Sequence, residues 1–191
     1  MIIIPPAQNK WVEYYPFMDR FDWTQIYLLP SKTTKNLKLQ SLQFSILHRF
    51  TTCNYNLKLW NIIDSPMCQS CNVIDSIEHF FFYCDCIHRL WDRVKIMSKD
   101  VLNFTFNGTV LEILLGIPCQ KNTALQVLNL IILLTKQFIY ISKKNDLLIS
   151  ENAFHKTLRS KLETELYLLR LKGSDVAKGI TLIENIIELL V

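Results

Sequence analysis

Apolar residues recur at helical spacing along most of the chain. In residues 36–50, Leu39, Leu42, Phe44, Ile46, Leu47 and Phe50 leave a polar face, which predicts a helix. A shorter helix is expected over 21–29, ending before Pro30, whose ring removes a backbone donor. Ser76 is placed to cap a helix running to Tyr83. Asp85 then starts another, reaching Lys99, with Ile87, Leu90, Trp91 and Val94 on one side. Residues 122–142 predict a long helix that is apolar nearly all round from 127 to 134, with Lys143 and Lys144 suiting the negative end of its dipole. Ser150 caps a helix to 171 with a stripe of Phe154, Leu158, Leu162, Leu166 and Leu169, and Gly173 ends it. Ser174 opens the last helix, with Val176, Ile180, Ile183, Ile187 and Leu190 on one side, a stripe that packs at home or takes a partner helix. Alternating runs are scarce, so the expected fold is mainly α, with at most a trace of strand.

The apolar stretch within 122–142 raises the question of a membrane. A span needs about 20 largely apolar residues. Gln126, Asn129, Lys136 and Gln137 interrupt this one, so a buried central helix is the expectation. Asn107-Gly108 marks a turn in a polar connector over 100–109. The chain thus divides into an aromatic-rich segment 1–31, a helical module 32–100 and a C-terminal helical region 101–191. The aromatics of the first segment (Trp11, Tyr14, Tyr15, Phe17, Phe21, Trp23 and Tyr27) read as packing rather than base-stacking platforms.

Composition sharpens this picture at two points. With 4 Gly and 6 Pro, long disordered linkers are not expected. The net charge of +4 is mild, but its distribution is uneven. Residues 23–63 hold no Asp or Glu, yet carry Lys32, Lys35, Lys38, Arg49 and Lys58. A helix through Lys35 and Lys38 puts them on adjacent turns, with Arg49 about three turns on at its far end. His48 adds charge below neutral pH. Such a face tracks RNA or DNA backbone without reading sequence, the alternative being a solvated basic surface.

The strongest chemical signal is C-x2-C-x7-H-x4-C: Cys68, Cys71, His79 and Cys84. Two thiols two residues apart turn onto one ion, and an imidazole and a third thiol close a tetrahedron. Three thiolates and one imidazole make a closed, structural Zn2+ set with no position for a catalytic water. Ordinary buried cysteines or part of a disulfide framework are the competing readings. The first residues, Met-Ile-Ile-Ile-Pro-Pro, have no basic n-region and are too short for a signal h-region. The expectation is therefore an intracellular chain, nuclear or cytoplasmic and not secreted, where paired cysteines more often mean metal. His88 shares a helical face with Cys84, which His79 does not, and is the runner-up ligand. Cys86 is a weaker alternative. A helix break at Cys84-Asp85 favours His79.

No catalytic constellation accompanies this set. There is no glycine-rich phosphate loop, no nucleophile signature and no carboxylate pair of the polymerase kind. Asp64, Asp75, Asp85 and Asp92 read as surface and capping residues. Neither an enzyme activity nor a small-molecule substrate is expected.

The ligand set lies in a longer pattern. Residues 39–50 (LQSLQFSILHRF), Thr51-Thr52 and Leu57 precede it. Ile63-Asp64-Ser65-Pro66, Ile77-Glu78-His79-Phe80-Phe81 and Trp91 surround it. Leu114-Leu115-Gly116-Ile117, residues 128–134, Lys136 and Tyr140 follow. This resembles the zinc-binding region near the C-terminus of reverse transcriptases from LINE-type (non-LTR) retrotransposons, over roughly residues 20–170. Asp85 stands where that family has proline. The resemblance implies a zinc-stabilised helical module that contacts RNA or target DNA, detached from the upstream polymerase and endonuclease domains. A structural or interaction remnant is the alternative it leaves.

Overall fold

The structure, a computed structural model, describes residues 6–118, 122–171 and 177–190. Its helices are α1 (Pro6–Tyr14), α2 (Trp23–Thr33), α3 (Leu37–Leu47), α4 (Asn54–Leu59), α5 (His88–Asp100), α6 (Val110–Leu115), α7 (Thr123–Lys144), α8 (Glu151–Arg170) and α9 (Ala177–Leu189). Short 3-10 turns (Pro16–Arg20, Asp85–Ile87) and a π turn (His79–Tyr83) join them. Among the described residues, extended pairing is confined to one antiparallel bridge between Met67 and Ile74. The chain is mainly α, as its periodicity predicts.

α7 is the axis, because its apolar residues run all round it and every face needs a partner. Leu128, Ile131 and Ile139 are fully buried, and α2, α3, α5, α8 and α9 pack against it. By length and composition α7 is apolar enough to cross a membrane, but 72% of its most apolar window is covered by the rest of the chain. Protein neighbours occupy the faces that lipid would need. The buried cluster extends from Trp11 to Leu190, and the 100–109 connector contributes Leu102 and Phe106 to it. Trp11 and Trp23 are buried and hydrogen-bonded to the Leu47 and Met18 carbonyls, whereas Tyr14, Phe17 and Phe21 are exposed.

The caps follow the side chains. Asn36, Asn122 and Ser150 each accept a bond from the first-turn backbone, opening α3, α7 and α8. The helices depart from expectation in four places. Asp85 does not cap α5 with its side chain: Asp85–Ile87 is a 3-10 turn and α5 begins at His88. α2 starts at the Asp22 cap and runs through Pro30 to Thr33, where the Thr33 hydroxyl donates 2.8 Å to the Leu29 carbonyl. α3 stops at Leu47 rather than at Phe50, because Arg49 turns left-handed (φ 56°) and Phe50 N–H donates back to the Ser45 carbonyl at 2.9 Å. On α9, Ile186 is fully buried beside Ile183, while Ile180 and Ile187 are only partly covered. Gly173, Ser174 and Val176 lie outside the described residues.

One polar group sits at the middle of this core. The Lys136 amine on α7 is fully buried, donating to the Gln43 side-chain oxygen and, at 3.3 Å, to the Leu114 carbonyl. Burial lowers its pKa from 10.5 to about 7. A neutral amine supplies two donors, which matches those two acceptors. The unfolded chain therefore binds more protons than the folded one between pH 7 and 10.5. Stability is expected to rise with pH across that window, by up to about 1.4 kcal/mol per unit, and to lose this contribution as pH falls to 7. Urea denaturation at pH 7, 8 and 9 checks it: Lys136→Met removes the slope. An equal slope in the variant would assign it to other groups.

Candidate metal centre

Local backbone brings the first two thiols together. Residues 66–75 fold into a tight hairpin in which Cys68 N–H donates to the Val73 carbonyl at 2.7 Å and Asp75 N–H to the Pro66 carbonyl at 2.9 Å. Asn72 takes the left-handed position (φ 54°), which Asn tolerates better than most residues. The other two ligands come from residues 76–84. Ser76 Oγ accepts from His79 N–H at 3.2 Å, as the cap reading requires. From His79 the helix widens into a π turn closed by Cys84 N–H donating to the His79 carbonyl at 3.0 Å. Cys84 itself is extended (φ −71°, ψ 128°), which is the predicted break. The wider turn and the break place His79 and Cys84 on one side, where an ordinary α-helix separates them.

The ligand atoms of Cys68, Cys71, His79 and Cys84 all lie within 4.8 Å of one another. The Cys84 sulfur is 3.6 Å from that of Cys71 and 3.8 Å from that of Cys68. A tetrahedral ion with metal–sulfur bonds of ~2.3 Å needs sulfurs ~3.8 Å apart, so the spacing fits. Cys68, His79 and Cys84 are buried, and Nε2 of His79 is buried with no hydrogen-bond partner. An imidazole nitrogen desolvated in this way is costly unless something accepts its lone pair.

Electrostatics points the same way. A hydrogen bond from Cys86 lowers the Cys84 pKa to about 3, with Lys143 adding to the effect. Burial pushes Cys71 up to about 12, and the bond that Cys86 makes to Cys84 pushes Cys86 up. Negative charge collects on one sulfur, and further thiolates need a cation among them. Asp85 N–H also donates to the Cys71 sulfur at 3.4 Å. In the turn that carries His79, Phe80 and Phe81 are buried and Trp91 Nε1 donates to the Phe81 carbonyl at 2.8 Å, whereas Tyr83 is exposed.

His88 is not part of this group: it is exposed, with Nε2 3.4 Å from the Tyr83 carbonyl. Cys86 is adjacent, its sulfur 3.2 Å from that of Cys84.

The basic residues fare differently. Lys32, Lys35, Lys38 and Lys58 are exposed. Arg49 is not on their surface. Its guanidinium pairs with Glu78 at 2.6 Å, with the two side chains only 10% and 12% exposed, and lies over the rings of Trp11 and Tyr14. The left-handed turn after α3 swings it inward, which corrects its placement at the far end of a basic helix face. Nor do Lys32 and Lys35 flank the metal ligands. They line a cavity with Thr123 and Gln126 at the start of α7, whereas the cavity at Cys68 and Cys86 includes Ser142, Lys143 and Lys144 at its end. α7 has 22 residues and is roughly 33 Å long.

Sequence reasoning missed three groups here. Glu78 holds Arg49. Lys143 lies over the Phe80 ring and donates to the Phe80 carbonyl at 3.0 Å. Asp75 is buried rather than on the surface, and one of its oxygens accepts from Asn54 N–H at 3.1 Å, tying α4 to the hairpin. Burial raises its pKa. All three are ordinary residues in sequence, and only their neighbours distinguish them. Compared with protein-family models, with curated proteins and with solved structures, the chain has no match.

Proposed function

We propose that this chain is a zinc-stabilised nucleic-acid-binding module of the kind its resemblance to LINE-type reverse transcriptases implies, without a catalytic step of its own. The observation that carries the reading is the convergence of Cys68, Cys71, His79 and Cys84 within 4.8 Å. Three sulfurs and an imidazole suit Zn2+ and leave no open coordination position, so the ion holds structure. Backbone phosphates are held by Lys32, Lys35 and Lys38, which flank the turn from α2 to α3, and by Lys58 on α4. Arg49 takes no part, because its charge is spent on Glu78.

The test begins with the metal content of the purified chain, expected to be one zinc. Titration with single-stranded RNA and DNA at two salt concentrations follows. Affinity should be weak, nearly sequence-blind and steeply salt-dependent. Lys32→Glu/Lys35→Glu/Lys38→Glu should lower it for both strands and flatten the salt slope by roughly 0.7 per lost phosphate contact. If that variant keeps fold and zinc and binds as the parent does, these lysines are solvated surface. The chain is then a structural or interaction protein. One observation favours that second reading: a groove of about 590 Å³ lined by Leu37, Phe44, Phe50, Tyr140 and Ile141, with Leu37, Phe44 and Phe50 markedly exposed.

A further inference from the structure

The sulfur closest to Cys84 belongs to none of the other three ligands. Cys86 Sγ lies 3.2 Å from Cys84 Sγ, nearer than Cys71 at 3.6 Å or Cys68 at 3.8 Å. We propose that Cys84 and Cys86 form an oxidation site: a hydroperoxide joins them in a disulfide, and the metal is released. This rests on the four-ligand reading of the centre.

Access is unequal. Cys84 is fully buried, whereas Cys86 is half-buried and lines a cavity of about 380 Å³ between the Cys68–Ser70 turn and the end of α7. Of these two sulfurs, a small oxidant therefore meets that of Cys86 first. Cys86 is also the thiol of this cluster that the metal does not need, so its electrons stay available when the ion is bound. The two sulfurs are held together by a short stretch, extended at Cys84 and turning at Asp85–Ile87.

The chemistry balances in two displacements. The Cys86 sulfur attacks one peroxide oxygen as its thiol proton is lost; an S–O bond forms, the O–O bond breaks, and the departing hydroxide (or alkoxide) takes up that proton to leave as water (or an alcohol). The Cys84 thiolate then attacks the Cys86 sulfur; the S–S bond forms, the S–O bond breaks and a second hydroxide leaves as water after protonation. The two sulfurs lose two electrons in total, and the peroxide gains them. Cys84 ends as a neutral disulfide sulfur. The ion keeps two thiolates and an imidazole, too few for a closed structural site.

The experiment uses the full zinc-loaded chain and hydrogen peroxide. Zinc release is followed with a chromophoric chelator, and differential alkylation with peptide mapping locates the bond. The parent should release its zinc as a Cys84–Cys86 disulfide forms, and dithiothreitol with added zinc should restore the complex. Cys86→Ser and Cys86→Ala should each load one zinc like the parent and release it about tenfold more slowly, because the other three thiolates of the cluster are metal-bound. Release at the parental rate from both variants, or a bond mapped to Cys68 and Cys71, overturns the inference while leaving the metal centre intact. Variants that load no zinc make Cys86 a ligand and overturn it too. A parent without zinc before oxidant is added refutes the four-ligand reading, and the inference falls with it.

Discussion

Cys68→Ser is expected to purify without metal and to lose ordered structure across residues 66–100. Structural zinc contributes on the order of 10 kcal/mol to folding small metal domains. A whole domain has only about 5–15 kcal/mol of net stability, so the loss is not a local matter. The hairpin that carries Cys68 and Cys71 has one bridge and a few turn hydrogen bonds of its own. Cys68 and Cys84 belong to the same buried cluster as Phe81, Leu90 and Trp91. Without the ion, desolvated thiols and the unpartnered His79 nitrogen remain in that cluster. Helices α7 and α8, which meet at Phe138 and Phe154, supply none of the four candidate ligands and should keep part of their amide protection. Elemental analysis and hydrogen exchange measure the two halves of this expectation. His79→Ala should also lose the metal, while His88→Ala should keep it, since His88 is exposed and outside the ligand group. Equal zinc in Cys68→Ser and the parent would sink the assignment.

The second large effect is expected at Arg49. Arg49→Leu leaves the Glu78 carboxylate buried opposite an apolar side chain. Breaking a buried ion pair by removing one partner costs about 3–5 kcal/mol. The guanidinium also lies 4.6 Å from the Trp11 ring centroid and 4.3 Å from that of Tyr14, and that attraction goes as well. Arg49→Lys should recover little of the loss, because an ammonium is not a planar fork and does not stack on rings. Arg49→Leu/Glu78→Leu should recover much of it, because no uncompensated charge remains. Urea midpoints across this double-mutant cycle read the coupling directly. Additive changes in the cycle would mean that the pair is held by its surroundings and contributes nothing. Glu78 precedes His79, so the cycle also shows whether the ion pair helps to set the metal ligand: zinc affinity should fall with Arg49→Leu.

The sequence by itself determined most of the helices, the Ser76 and Ser150 caps and the four candidate metal ligands. These are local matters. Periodicity at 3.6 residues reports which side of a segment avoids water, and Asn36, Asn122 and Ser150 satisfy backbone groups within one turn of themselves. The Cys68–Cys71 spacing works for the same reason, since one tight turn delivers both sulfurs. Tertiary structure decided which charges face water. Arg49 looks like Lys35 and Lys38 in an acid-free stretch, but a left-handed residue and an acid 29 positions away draw it inside. Lys136 looks like an interruption in an apolar helix, but Gln43 and the Leu114 carbonyl wait for it in the core. The break at Cys84-Asp85 already favours His79 over His88 in the sequence; what the structure adds is a π turn, a wider winding that no spacing rule for an ordinary helix contains. Lys32 stands with the start of α7 and the candidate ligand Cys68 with its end, so the 22-residue helix lies between them. Charge in a sequence is a one-dimensional density, while burial and pairing depend on what lies opposite in three dimensions.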